Sequence, residues 1–139
     1  MQPSEPELRT GDALELAGLT QKTWKDLLHR KHFDEPPAAT TQSRRFSVDD
    51  VLCLSIVSHY LGTGAGPTMA GRVASAVRKE LAKAGPDLQT LWVANTIDGT
   101  PCRVMAQPPK GSIADQIPVA ELRQSIRQAV IEKLAERRA

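Results

Sequence analysis

Apolar positions along the chain fall into blocks of helical period, separated by glycine and proline, with one β-like block toward the C-terminus. Trp24, Leu27 and Leu28 share one helical face, while Gln21, Lys22, Lys25 and His29 fall on the other. Thr20 precedes this block and can cap it, because its hydroxyl accepts from an otherwise unpaired amide of the first turn. Leu19 and Trp24 have the spacing of a hydrophobic staple. Upstream, Thr10 is the expected cap of a shorter helix over 11–17, with Asp12 and Glu15 near its positive end. Gly18-Leu19 makes the turn between the two. A short helix, a glycine turn and a basic helix together predict a helix-turn-helix.

Ser47-Val48-Asp49-Asp50 carries the Ser-x-x-Asp capping signature and starts a third helix. Val51, Leu52, Leu54, Ile56, Val57, Tyr60 and Leu61 surround that helix instead of lining one stripe, which predicts a central helix buried on more than one side. Pro67 suits the first position of a fourth helix, with Met69, Val73, Val77 and Leu81 at every fourth residue and Gly85-Pro86 as its stop. Ala70, Gly71, Ala74 and Ala76 are small enough to admit a close neighbour. Arg72, Arg78, Lys79 and Lys83 lie mostly off the apolar stripe, as a solvated face or as phosphate contacts. Two β-prone runs, 91–97 and 100–106, flank Asp98-Gly99, a hairpin signal. Pro101 places its strand at an edge or delays its start. Residues 107–116 read as loop. Pro118 opens a last helix striped by Val119, Leu122, Ile126, Val130 and Leu134, with Glu121, Arg123, Arg127, Glu132 and Arg137 mostly outside the stripe.

The predicted fold class is therefore mainly α with small β elements: a winged helix-turn-helix followed by a helix, a β-hairpin and a C-terminal helix. The expected divisions are a disordered lead-in over 1–9, the winged helix-turn-helix over 10–61, a helix packing on it over 67–85, and a hairpin plus amphipathic helix over 86–139. The last part is too small to stand alone and must serve dimerisation or docking.

Charge changes the picture only locally. The 139 residues carry a net +2. Residues 1–60 hold 7 Lys/Arg against 9 Asp/Glu, yet residues 20–46 within them hold 6 against 3. The positive charge thus concentrates where the basic helix and a following Pro-rich arm lie, and Arg44 and Arg45 end that arm. Cys53 and Cys102 are far apart and read as reduced core filler. His29, His32 and Cys53 do not make up a zinc set. Gly62-Thr63-Gly64-Ala65-Gly66 lacks the Lys-Ser/Thr of a phosphate-binding loop, and no serine has a nucleophile-elbow context. No catalytic residue, cofactor or metal is expected, and no enzyme activity. The polar, acidic first residues and the lack of a long apolar run predict no signal peptide and no membrane span, hence a cytoplasmic, nucleoid-associated protein.

Residues 10–61 resemble the DNA-binding domain of MerR-type transcription regulators. The resemblance rests on Thr10-Gly11-Asp12 at the first helix, Gly18-Leu19-Thr20 at the turn, and Lys22-Thr23-Trp24-Lys25 at the start of the basic helix. It rests also on Arg45-Phe46-Ser47 leading to Asp50-Val51. It implies base or phosphate contacts from Lys22, Thr23 and Lys25, wing contacts to phosphate from Arg44 and Arg45, and a dimer on a two-fold symmetric site. Asp26 and Leu27 stand where the family has paired tyrosines, and the chain has neither its long coiled coil nor its cysteine cluster. The expected function is that of a bacterial-type, sequence-specific DNA-binding transcription regulator, binding double-stranded DNA as a homodimer. The candidate contacts are Thr20, Gln21, Lys22, Thr23, Lys25, His29, Arg44 and Arg45, with the transcription machinery or another protein as a further partner. The alternatives are an excisionase-like, architectural DNA-bending factor and a protein-interaction adaptor that does not meet DNA.

Overall fold

A computed structural model of the chain describes residues 6–30, 32–33, 45–95, 101–108, 110 and 114–138. Among these the order is α1 (Thr10–Ala17), α2 (Gln21–His29), α3 (Val48–Gly62), α4 (Pro67–Ala84), β1 (Leu91–Asn95), β2 (Pro101–Met105), β3 (Ala114–Ile117) and α5 (Val119–Arg138). The molecule is mainly helical, with one small antiparallel sheet of strand order β2-β1-β3.

The central position of α3 follows from its composition. Val51, Leu52, Cys53, Leu54 and Val57 are all buried, and α1, α4 and α5 pack around the helix. Its start is fixed by a reciprocal capping box: the Ser47 hydroxyl accepts from the Asp50 amide at 3.1 Å, and the Asp50 carboxylate accepts from the Ser47 amide at 2.9 Å. Burial of Cys53 pushes its thiol pKa up, so it stays protonated and serves as packing.

The fourth helix begins with Pro67 at its first turn and ends at Gly85, whose φ of 78° is one that an L side chain rarely adopts. Val73, Val77 and Leu81 are buried together with Ala70 and Ala74, while Met69 is half-buried. The expected hairpin is present as β1 and β2, and β2 begins at Pro101 on the sheet edge, where a missing donor costs least. The Asp98-Gly99 turn itself lies outside the described residues.

Four expectations need correction. Thr10 is the first helical residue of α1, not its cap; the cap position is Arg9, whose side chain makes no capping bond. The lead-in expected to be disordered over 1–9 joins the fold at Leu8, which is 1% exposed and exchanges two 2.8 Å backbone bonds with Phe46. The stretch expected as loop over 107–116 supplies β3, which pairs antiparallel with β1 from Leu91↔Ile117 to Ala94↔Ala114. Only Ile117 of that strand is buried, so its apolar content was too low to signal a strand. Arg123, expected outside the stripe of the last helix, is buried at 8% exposure.

That arginine explains how the C-terminal part docks. Its guanidinium donates to both Asp49 carboxylate oxygens, at 2.9 and 3.0 Å, and to the Gly85 carbonyl at 2.9 Å, tying α5 to the start of α3 and the end of α4. Further along α5, Lys133 reaches Glu15 at 2.8 Å and Arg137 reaches Asp12 at 2.6 Å. Val119 and Val130 are fully buried beneath them. The Tyr60 hydroxyl donates to Asp115 at 3.0 Å, joining α3 to β3. The C-terminal helix therefore packs on α1 and α3 of its own chain.

Candidate nucleic-acid interface

The site is built on α2. Gly18 ends α1 in the left-handed region, with φ 79°, and its amide returns to the Glu15 and Leu14 carbonyls. Ser58 of α3 donates to the Gly18 carbonyl at 3.4 Å, which fixes the turn to the core. Two residues later Thr20 caps α2 as expected: its hydroxyl accepts from the Thr23 amide at 3.1 Å and also donates to the Thr23 hydroxyl at 2.9 Å. The first-turn amides of Gln21 and Lys22 have no acceptor within the helix, which is the property that draws anions to helix starts.

One side of α2 is anchored by aromatic packing. Trp24 is 2% exposed, with its ring centroid 5.8 Å from that of Phe33 and 5.7 Å from that of Phe46. Leu27 is buried beside it and Leu28 is half-buried. At about 100° per residue, Lys22, Lys25, Asp26 and His29 fall within an arc of about 100° on the opposite side. All four are exposed. The sequence pattern placed these residues correctly because a nine-residue helix with one aromatic anchor has a single way to bury it.

The other candidates distribute as follows. Thr20 and Gln21 are exposed, and Thr23 is half-buried by its role in the cap. The amide nitrogen of Gln21 lies 3.8 Å from the space that a Cβ on Gly11 would take, so this side chain leans toward α1. Arg45 is exposed and adjoins Phe46, the residue bridged to Leu8. Arg44 and the arm before it lie outside the described residues. His32 lies beyond the end of α2 and bonds to the Thr68 hydroxyl at 3.0 Å.

Sequence reasoning did not foresee where the N-terminal acids go. Asp12 pairs with Arg137, Glu15 with Lys133, Asp49 with Arg123 and Asp50 with Arg78. The Arg137 guanidinium holds the Asp12 carboxyl below its ordinary range, chiefly by direct hydrogen bonding. These acids lie on α1 and on the first turn of α3, and all four partners come from α4 and α5. Four of the nine acids in residues 1–60 are thus paired with cations within the fold. Spacing gave no signal, since the partners are up to 125 residues apart.

A cavity of about 310 Å³ lies behind the C-terminal half of α2, lined by Thr23, Asp26, Leu27, Arg30, His32, Leu61 and Pro67. A second, of about 450 Å³, lies between the start of α3, the end of α4 and α5, and contains Arg123 and Asp49. Among the described residues no group of three His, Cys, Asp or Glu side chains could hold a metal ion, and no helix is long and apolar enough to cross a membrane. No protein-family model matches the chain, and no curated protein matches it.

Proposed function

We propose that this chain is a sequence-specific DNA-binding transcription regulator, which presents α2 to the major groove and the arm ending at Arg45 to the flanking backbone. The observation that carries the reading is the exposed arc of Lys22, Lys25 and His29, turned away from the buried Trp24 anchor. Lysines held outward at the start of a capped helix meet phosphate favourably, both as charges and through the helix dipole. Pairing of Asp12, Glu15, Asp49 and Asp50 inside the fold removes much of the negative field that would oppose a duplex. Binding as a homodimer on a two-fold site belongs to the same proposal.

Selection of bound sequences from random duplexes tests it. The expected outcome is an enriched consensus with two-fold symmetry. Absence of any enrichment contradicts the reading.

One observation favours a different class. Asp26 is exposed on the same arc as Lys22 and His29, and a carboxylate there repels phosphate unless it accepts from a cytosine amino group. A protein-interaction adaptor would tolerate it freely. Asp26→Ala separates the two: relaxed preference at one base position supports DNA reading, and a lack of duplex binding by the wild-type chain and the variant alike supports the adaptor.

A further inference from the structure

The outer face of α4 carries three cations that the fold does not use. Arg72, Lys79 and Lys83 are exposed, and among the described residues none of them makes an ion pair or a hydrogen bond. At about 100° per residue they fall within an arc of about 40°, on the side opposite the buried Ala70, Ala74, Val77 and Leu81. Arg78, the remaining arginine of the helix, lies away from that arc and is spent on Asp50. A solvated helix face is ordinarily relieved by acids at i±3 or i±4. Here the helix holds a single acid, Glu80, which is half-buried and forms no ion pair among the described residues.

The placement of this row relative to α2 is set by two contacts. The start of α4 is packed so closely against the segment leaving α2 that a Cβ on Gly71 would overlap the His32 carbonyl. Thr68 bonds His32 three residues earlier. Arg72 therefore follows directly on the seat of the α2 exit, and the row runs from there for about 16 Å along α4 at 1.5 Å per residue. Phosphates of one strand rise about 3.4 Å apiece along a duplex, so a row of this length faces several of them. His29 and Arg30, both exposed at the end of α2, lead toward it.

We propose that Arg72, Lys79 and Lys83 form a second, sequence-independent contact with the DNA backbone, extending the footprint beyond α2 and its arm. This rests on the DNA-binding reading above. The triple variant Arg72→Ala/Lys79→Ala/Lys83→Ala tests it on the full chain, since alanine at exposed helical sites leaves the helix intact. Affinity for a selected duplex is measured across salt concentrations for the wild type and the variant. The expected result is a log–log salt slope reduced by about 2.7, roughly 0.9 per phosphate contact, with base preference unchanged. The charge-preserving variant Arg72→Lys/Lys79→Arg/Lys83→Arg should keep the wild-type slope. An unchanged slope in the alanine variant overturns the α4 contact while leaving the α2 reading intact. An altered base preference also overturns its assignment to the backbone. Failure of the wild type to bind any duplex overturns both readings together.

Discussion

Trp24 meets Phe46 edge to face, with ring centroids 5.7 Å apart and ring planes at 68°. The pair couples the two parts of the candidate interface, because Phe46 adjoins Arg45 and is itself held by paired backbone bonds to Leu8. A helix of nine residues has little stability of its own. Its orientation comes from this aromatic seat, and the outward direction of Lys22 and Lys25 is a consequence of it.

Removing the seat is accordingly costly. Trp24→Ala is expected to lower unfolding free energy by about 3–5 kcal/mol, since it deletes a large buried ring between two others. Urea denaturation followed by far-UV circular dichroism gives the value. A loss under about 1 kcal/mol would show that the ring does not anchor the helix.

The docking of α5 is tested at Arg123. Arg123→Met keeps much of the volume but leaves Asp49 and the Gly85 carbonyl without their donor. A loss of about 2–3 kcal/mol is expected for these charge-assisted bonds, reduced from a fully buried pair by the partial exposure of Asp49. In a double-mutant cycle with Asp49→Asn the two effects should be strongly non-additive. Additivity would mean that the ion pair does not hold α5 in place.

Gly71 is required by contact, not by backbone conformation. Gly71→Ala pushes a methyl group into the His32 carbonyl, and relief requires α4 or the α2 exit to move. An overpacking cost of about 1–3 kcal/mol is expected, read from the shift in denaturation midpoint. A variant as stable as the wild type would mean that the approach is looser than described.

Asp12 gives a pH signature. Its carboxyl titrates below the ordinary value of 3.8 because Arg137 hydrogen-bonds the charged form. A group whose folded pKa is depressed stabilises the fold fully above its unfolded pKa, and that contribution is lost as pH falls through the folded value. Carboxyl-detected NMR titration should therefore show the Asp12 pKa rising in Arg137→Gln, and the acid limb of the stability profile should flatten. An unmoved Asp12 would show that the tail of α5 does not rest on α1.

Much of the helical framework was legible because caps and periods are local. Thr20, the Ser47–Asp50 box, Pro67 and Gly85 each marked a boundary that the structure keeps. Trp24 and Leu27 sorted the faces of α2 for the same reason. What escaped was decided by distant partners. Leu8 is ordered only because Phe46 offers it two backbone bonds, and β3 is a strand only because β1 has a free side. Arg123 is buried only because Asp49 and Gly85 meet it. No short window of sequence contains those pairs, and charge counts over 1–60 misled for the same reason.

The central claim is that α2 offers its lysines to a duplex. Anisotropy of a labelled random-duplex pool, titrated with salt, measures it for the wild type and for Lys22→Ala/Lys25→Ala, with circular dichroism confirming an unchanged fold. The account predicts steeply salt-dependent binding by the wild type, with a slope lower by about 1.8 in the variant and an affinity reduced at least roughly tenfold. Equal binding by the two proteins, or no binding by the wild type at low salt, would contradict it.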